Sequence, residues 1–192
     1  MARGKEFDED AVLLKAMHLF WEQGYEKTSV NDLVEGMGIH RRSLYDTFGD
    51  KHELFLKAIE RYGTLINGRF RAAIARAESS RKALQFLFDL MIDGYEGKPP
   101  GCLLVNTATE LAPRDAEVDA RTGEGFDTME RLLADLIRTG QQKREFPQDR
   151  KAEELAEQIH AVMLGIRVLA RTSADRTKMH RIADAALANL HA

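Results

Sequence analysis

The sequence predicts an all-α protein: a three-helix head, a long connecting helix and a larger helical body, about nine helices in all. Three observations carry this expectation. Apolar residues recur at helical spacing along nearly the whole chain, and no alternating strand pattern exceeds a few residues. Only four prolines occur, and three of them (Pro99, Pro100 and Pro113) lie close together, so few helices are interrupted. The 192 residues are 44% hydrophobic and 31% charged, which suits a globular chain with one good core or two small ones.

The first helix is expected from about Asp8 to Gln23, with Val12, Leu13, Ala16, Met17 and Phe20 on one stripe and Gly24 just past its end. Ser29 with Asp32 fits a capping box that starts a second, short helix, from which Leu33, Val34 and Met37 face inward. Gly36 and Gly38 admit the tight turn that follows. A third helix from about His40 to Thr47 buries Leu44 and Phe48 at i, i+4. Asp50 and Glu53 form another capping box and start a fourth, long helix reaching about Ala77, with Leu54, Phe55, Ala58, Ile59 and Tyr62 as its apolar face. Gly63 and Gly68 inside it favour a bend. Lys82 to Tyr95 repeats Leu84, Leu87, Phe88, Met91 and Tyr95 at helical spacing, residues 97–101 form a loop, and Cys102 to Leu111 is a short helix stopped at Pro113. A long helix from about Asp115 carries Phe126, Met129, Leu132, Leu133, Leu136 and Ile137, with Gly140 past its end. Asp149 to Thr172 and Asp175 to Leu190 complete the chain. The stripes Leu155, Ile159, Val162, Met163, Ile166, Ala170 and Ile182, Ala183, Ala186, Leu187, Leu190 suit a four-helix interface between two copies, closure of the body's own core, or both on different faces.

The segment Thr28 to Phe48 carries the functional signal. It reads as helix, glycine-marked turn and helix, the arrangement that puts donors into the DNA major groove. Arg41 and Tyr45 share one face of the second helix, and Arg42 and Asp46 share the next. A bidentate arginine on guanine gives roughly 1–3 kcal/mol of discrimination. Asp46 is placed either to accept from cytosine or to pair with Arg42. Thr28, Ser29, Tyr45 and Lys51 are placed to hold phosphates, which orients the helix without reading sequence. Charge argues the other way. The chain carries a net −3, and residues 1–52 hold 7 Lys/Arg against 10 Asp/Glu. Five of those acids (Glu6, Asp8, Glu9, Asp10 and Glu22) fall at or on the first helix and must face away from DNA. Binding then rests on a small local patch and on helix N-termini, which hold phosphate without side-chain charge.

These residues resemble the TetR family of bacterial transcriptional regulators over about Asp8 to Tyr62. The matching features are Gly24-Tyr25, Thr28-Ser29-Val30, Gly38-Ile39, Ser43-Leu44-Tyr45, Phe48, and Lys51 with Glu53-Leu54. The resemblance implies a homodimer whose two heads bind a near-palindromic double-stranded operator. It also implies a divergent body that takes a small-molecule effector and lowers DNA affinity. On that pattern residues 1–52 are the DNA-binding domain and residues 53–192 the ligand-binding and dimerisation domain, joined within the fourth helix. Arg41, Arg42, Ser43 and Tyr45 fall on base or backbone contacts, and Thr28 and Lys51 on phosphate contacts. Three positions depart from the usual pattern: His40 where a Ser or Thr cap is usual, Arg42 where a small residue is usual, and Thr47 where an aromatic is common. They bear on operator sequence and on individual contacts.

In the body, Gly101-Cys102-Leu103-Leu104-Val105-Asn106 resembles a segment that opens the sixth helix in one branch of the family, where some members sense electrophiles or oxidants through this cysteine. A thiol in the first turn of a helix has its thiolate favoured by the free N–H groups there, with Lys98 adding to the effect; the other reading is a small hydrophobe at a packing point. Candidates for lining an apolar effector cavity are Met91, Tyr95, Cys102, Asn106, Phe126, Met129, Leu133, His160, Met163 and Arg167, each also readable as plain core. His160 and Arg167 are the telling pair, lying within an otherwise apolar helix.

Other function classes find little support. No nucleophile elbow, phosphate-cradling glycine loop or HExxH occurs, so no enzyme is expected, and no cofactor. One cysteine excludes an internal disulfide framework, suits a reducing cytoplasm, and with scattered histidines makes a structural zinc site unlooked-for. No run approaches the ~18 apolar residues of a membrane span, and MARGKEFDED is not a secretory signal. The remaining alternative is a helical protein-interaction module without specific DNA binding; the anionic head disfavours an acidic membrane as its partner.

Overall fold

The computed structural model describes residues 7–93 and 99–190. Among these it contains nine α-helices and no strand: α1 (Glu9–Gln23), α2 (Val30–Met37), α3 (Arg41–Phe48), α4 (Lys51–Arg76), α5 (Ser80–Asp93), α6 (Leu103–Glu110), α7 (Ala116–Gln142), α8 (Ala152–Leu169) and α9 (Arg176–Ala188). A single 3-10 turn, Ala112–Arg114, follows α6.

Local chemistry starts the helices of the head. Asp8 stands outside α1 as its cap and accepts from the N–H groups of Asp10 and Ala11 (2.9 and 3.3 Å). Ser29 and Asp32 form the expected reciprocal box at α2, and Asp50 accepts from the Glu53 N–H (2.9 Å) at α4. Gly38 ends α2 in the left-handed region (φ 73°), donating back to Val34 and Glu35 carbonyls, which is the sharp turn into α3. His40 sits outside α3, at its N-cap, and makes no side-chain capping bond. Phe20, Trp21, Leu33, Met37, Leu44 and Phe55 fill the head's core, each essentially inaccessible to solvent. Each such side chain contributes roughly 1.5–3 kcal/mol by burial. Phe20 meets Phe55 edge-on at 4.9 Å, which packs α1 directly on α4, with α2 resting on α1 and α3 on α4.

α4 runs without a break from Lys51 through Gly63 and Gly68 to Arg76 and carries the chain from head to body. Several expected boundaries in the body shift. α5 begins two residues early at Ser80, and Tyr95 and Lys98 lie outside the described residues. α8 is shorter than expected at both ends. Cys102 is the N-cap of α6 rather than part of its first turn. Gly140 lies inside α7, not past its end, and is buried. A Cβ there would sit 2.2 Å from the Phe146 ring and 3.0 Å from Ser80 Cβ, so its missing side chain lets the loop after α7 fold back onto α5. Of the two stripes offered for dimerisation, Leu155, Ile159, Met163, Ile166, Ala183 and Leu190 close the chain's own core. Val162, Ile182, Ala186 and Leu187 stay half-buried and Val168 is exposed.

Several contacts among the described residues tie head to body. Arg61 of α4 holds Asp10 of α1 through two bonds of 2.7 and 2.9 Å. The Glu110 carboxylate, the last residue of α6, accepts from the N–H groups of Tyr25 and Glu26 (3.0 and 2.9 Å). Arg171, just past α8, donates to the Trp21 carbonyl at the end of α1 (2.9 Å). His52 Nε2 lies 2.7 Å from Asp115 Oδ2, the cap of α7.

Candidate nucleic-acid interface and effector pocket

α3 is amphipathic across its short length. Leu44 and Phe48 lock its underside into the head, leaving Arg41, Arg42 and Tyr45 in solvent and Ser43 half-buried. Arg41 is oriented: its Nη2 donates to Asn31 Oδ1 of α2 at 2.7 Å. Sequence reasoning passed over Asn31, whose only signal is an amide on the exposed first turn of the preceding helix. The Arg42 side chain is 92% exposed, with Asp46 Oδ2 3.4 Å from its Nε. An i, i+4 pair this open contributes about 0.3–0.5 kcal/mol, so a base edge competes with it readily. Because His40 makes no side-chain capping bond, no side chain occupies the leading amides of α3 from that position, which an anion can then approach.

The phosphate-facing candidates divide. Lys51 Nζ lies 4.2 Å from the centroid of the Tyr25 ring, which aims the ammonium while leaving it partly solvated. The Ser29 hydroxyl is exposed but engaged, donating to Asp32 Oδ2 at 2.7 Å and accepting from the Asp32 N–H at 3.1 Å. Thr28 corrects the expectation. It is fully buried, and its hydroxyl donates to the Gly24 carbonyl at 2.6 Å, so its side chain builds the α1–α2 corner rather than meeting a phosphate. Of the acids on α1, Asp8 caps its own helix and Asp10 is held by Arg61, whose guanidinium keeps that carboxyl below the usual carboxylate range.

In the body an apolar pocket with a cavity volume of about 50 Å³ opens to solvent between α4, α5, α6, α7 and α8. Met91, Cys102, Phe126, Met129, His160 and Arg167 all line it. Met163 and Leu133 do not; both are solid core. Asn106 is also absent from it: with its amide set to satisfy both ends, it donates to the Cys102 carbonyl (3.3 Å) and accepts from Arg171 (3.2 Å), which makes it part of the head–body joint. Tyr62 and Asn67 of α4 line the pocket and were not anticipated, although the stripe Tyr62, Ile66, Phe70 at i, i+4 marks that face. His160 Nδ1 lies 2.9 Å from Glu130 Oε1 and its ring meets Phe126 edge-on at 5.6 Å. Arg167 donates to the Met91 carbonyl in the last turn of α5. Cys102, half-buried, has extended backbone and caps nothing, so its thiol does not sit on the leading amides of α6 as the sequence suggested.

Comparison with known proteins places the chain in a family. Residues 12–58 match the family model described as bacterial regulatory proteins, tetR family, and residues 80–186 match the tetracyclin repressor-like C-terminal domain. The chain is 33% identical to the transcriptional repressor ComR of Escherichia coli strain K12, over 96% of this chain and 90% of that protein. It is 31% identical to the uncharacterized HTH-type transcriptional regulator YezE of Bacillus subtilis strain 168, over 99% of this chain and all of the other. Among solved structures, a cysteine mutant of the regulator CifR in complex with 26-bp double-strand operator DNA superposes with a TM-score of 0.86, at 30% identity, covering 98% of this chain and 99% of that one.

Proposed function

The chain belongs to the TetR family of DNA-binding transcriptional regulators, and from that premise we propose that it is a cytoplasmic repressor without enzymatic activity, released from its operator by a small ligand in the body pocket or by modification of Cys102. The carrying observation is α3: two exposed arginines and a tyrosine on one rigidly seated helix, one arginine held in place by Asn31. Residues 1–52 act as the reading head and residues 53–192 as the sensing and dimerising body, with α4 crossing the division as the mechanical link. Arg41, Arg42, Ser43 and Tyr45 read bases or their backbone, and Lys51 holds a phosphate. The half-buried apolar edge of α8 and α9 (Val162, Ile182, Ala186 and Leu187), with Val168 beside it, pairs with its copy in a homodimer. Two heads about one DNA turn apart, ~34–36 Å, then meet successive major grooves of a near-palindrome. A relative held on 26-bp operator DNA supports this mode. No described helix is long and apolar enough to cross a membrane.

The test is a mobility shift on the DNA upstream of the gene, titrated with salt and with a panel of oxidants, electrophiles and aromatic compounds. A salt-sensitive, sequence-specific shift that one of these reverses is expected. Absence of any specific shift would remove the repressor reading in favour of a helical interaction module.

A further inference from the structure

Arg167 is the only buried arginine among the described residues, at 5% exposure. Arg42, Arg61, Arg121, Arg138 and Arg176 each stand beside a carboxylate, while Arg167 has the Met91 backbone carbonyl. That carbonyl engages one of its five N–H donors. Among the described residues, the pocket wall it joins contains no Asp or Glu, and Arg167 is its one permanently charged residue. No carboxylate among the described residues meets this largely buried guanidinium, and its planar fork matches a carboxylate bidentately. The rest of the wall, with Ile66, Phe70, Leu104, Phe126 and Met129, takes an apolar body. A dianionic headgroup would bring a second charge into this wall with no second fixed cation to meet it.

We infer that the effector is an amphipathic organic monoanion, an aryl or alkyl body bearing one carboxylate, seated with the carboxylate on the Arg167 guanidinium. The inference rests on the reading of this pocket as the effector site. Its test is calorimetric titration of the full chain with 2-naphthoate, 2-naphthamide and 2-naphthyl phosphate. Trp21, the one tryptophan, gives a parallel fluorescence signal, because it meets the pocket residue Tyr62 edge-on at 4.9 Å. Naphthoate is expected to bind at least about ten-fold more tightly than either analogue, the scale of a charge-assisted pair. Arg167→Gln should erase that preference, so that the variant binds naphthoate no more tightly than naphthamide, and Arg167→Lys should keep part of it. The wild-type comparison of acid with amide needs no variant, so it stands even where Arg167→Gln loosens α5. Equal binding of acid and amide, a preference surviving in Arg167→Gln, binding of none of the three, or tighter binding of the phosphate each overturns the assignment. An Arg167-dependent preference for naphthoate that leaves the operator complex intact upholds the ligand chemistry and overturns the pocket's regulatory role instead.

Discussion

Arg41 and Arg42 are neighbours with different freedoms, and that difference predicts different roles. Asn31 restrains Arg41, so less rotamer entropy remains to be lost when it meets a base. Arg42 is restrained only by a 3.4 Å surface contact with Asp46. On the proposed reading its exposed guanidinium reaches a base edge that a small side chain there would leave untouched. Arg42→Ala is expected to remove a guanine preference from each half-site, about 1–3 kcal/mol at that base pair, with the rest of the recognition pattern intact. Selection of binding sites from a randomised pool by the two proteins reads this directly, and an unchanged base preference would sink it. Thr28 shows the limit of residue-level reading. A hydroxyl that builds a buried corner and one that holds a phosphate look alike in sequence; only the 2.6 Å bond to Gly24 and full burial separate them.

At the scale of elements, α6 is a direct path between pocket and head. Cys102 at its N-cap lines the pocket, and Glu110 at its other end grips the backbone before α2. Eight residues in one rigid rod make a displacement at one end appear at the other. Glu110→Ala leaves the Tyr25 and Glu26 amides without their acceptor, and a loss of about 1–2 kcal/mol of stability is expected. Hydrogen exchange should show faster exchange at those two amides, and protection unchanged from the parent would refute the clamp. Much of the architecture was legible because its signals are local. Ser29 with Asp32 and Asp50 with Glu53 are capping chemistry within four residues, and periodicity needs only one turn's neighbours. What was misread depends on residues distant in sequence. Gly140 reads as a helix stop until the Phe146 ring is seen lying against it. The pocket was found from α5 to α8 but not from α4, because Tyr62 and Asn67 sit on a helix that reads as a connector. Met163 and Leu133 share the stripes of true lining residues and differ only in depth, which periodicity does not encode.

For the whole molecule, charge decides how the parts hold together and how DNA is reached. Two head–body ties use carboxylates held below their ordinary range: Asp10 by the Arg61 guanidinium, and Asp115 by the Val118 N–H first and then by His52. A depressed folded value adds stability above the unfolded value and loses it as pH falls through the folded one. Thermal stability is therefore expected to decline below about pH 4, and Asp115→Asn to decline less steeply there; identical acid limbs would exclude this tie. Association with DNA follows a different logic, because a head of net −3 is not drawn to the duplex by its overall field. Affinity has to come from a few cations placed at short range, each releasing counterions from the phosphate it meets. Lys51, aimed by the Tyr25 ring, is assigned one such phosphate per head. A homodimer loses both at once in Lys51→Ala. The slope of log affinity against log salt should then flatten by about 2, at roughly 0.9 per phosphate, with base preference unchanged. A slope equal to the parent's would mean that Lys51 serves the Tyr25 ring and the fold alone. A change of about 1 would mean that only one head engages at a time.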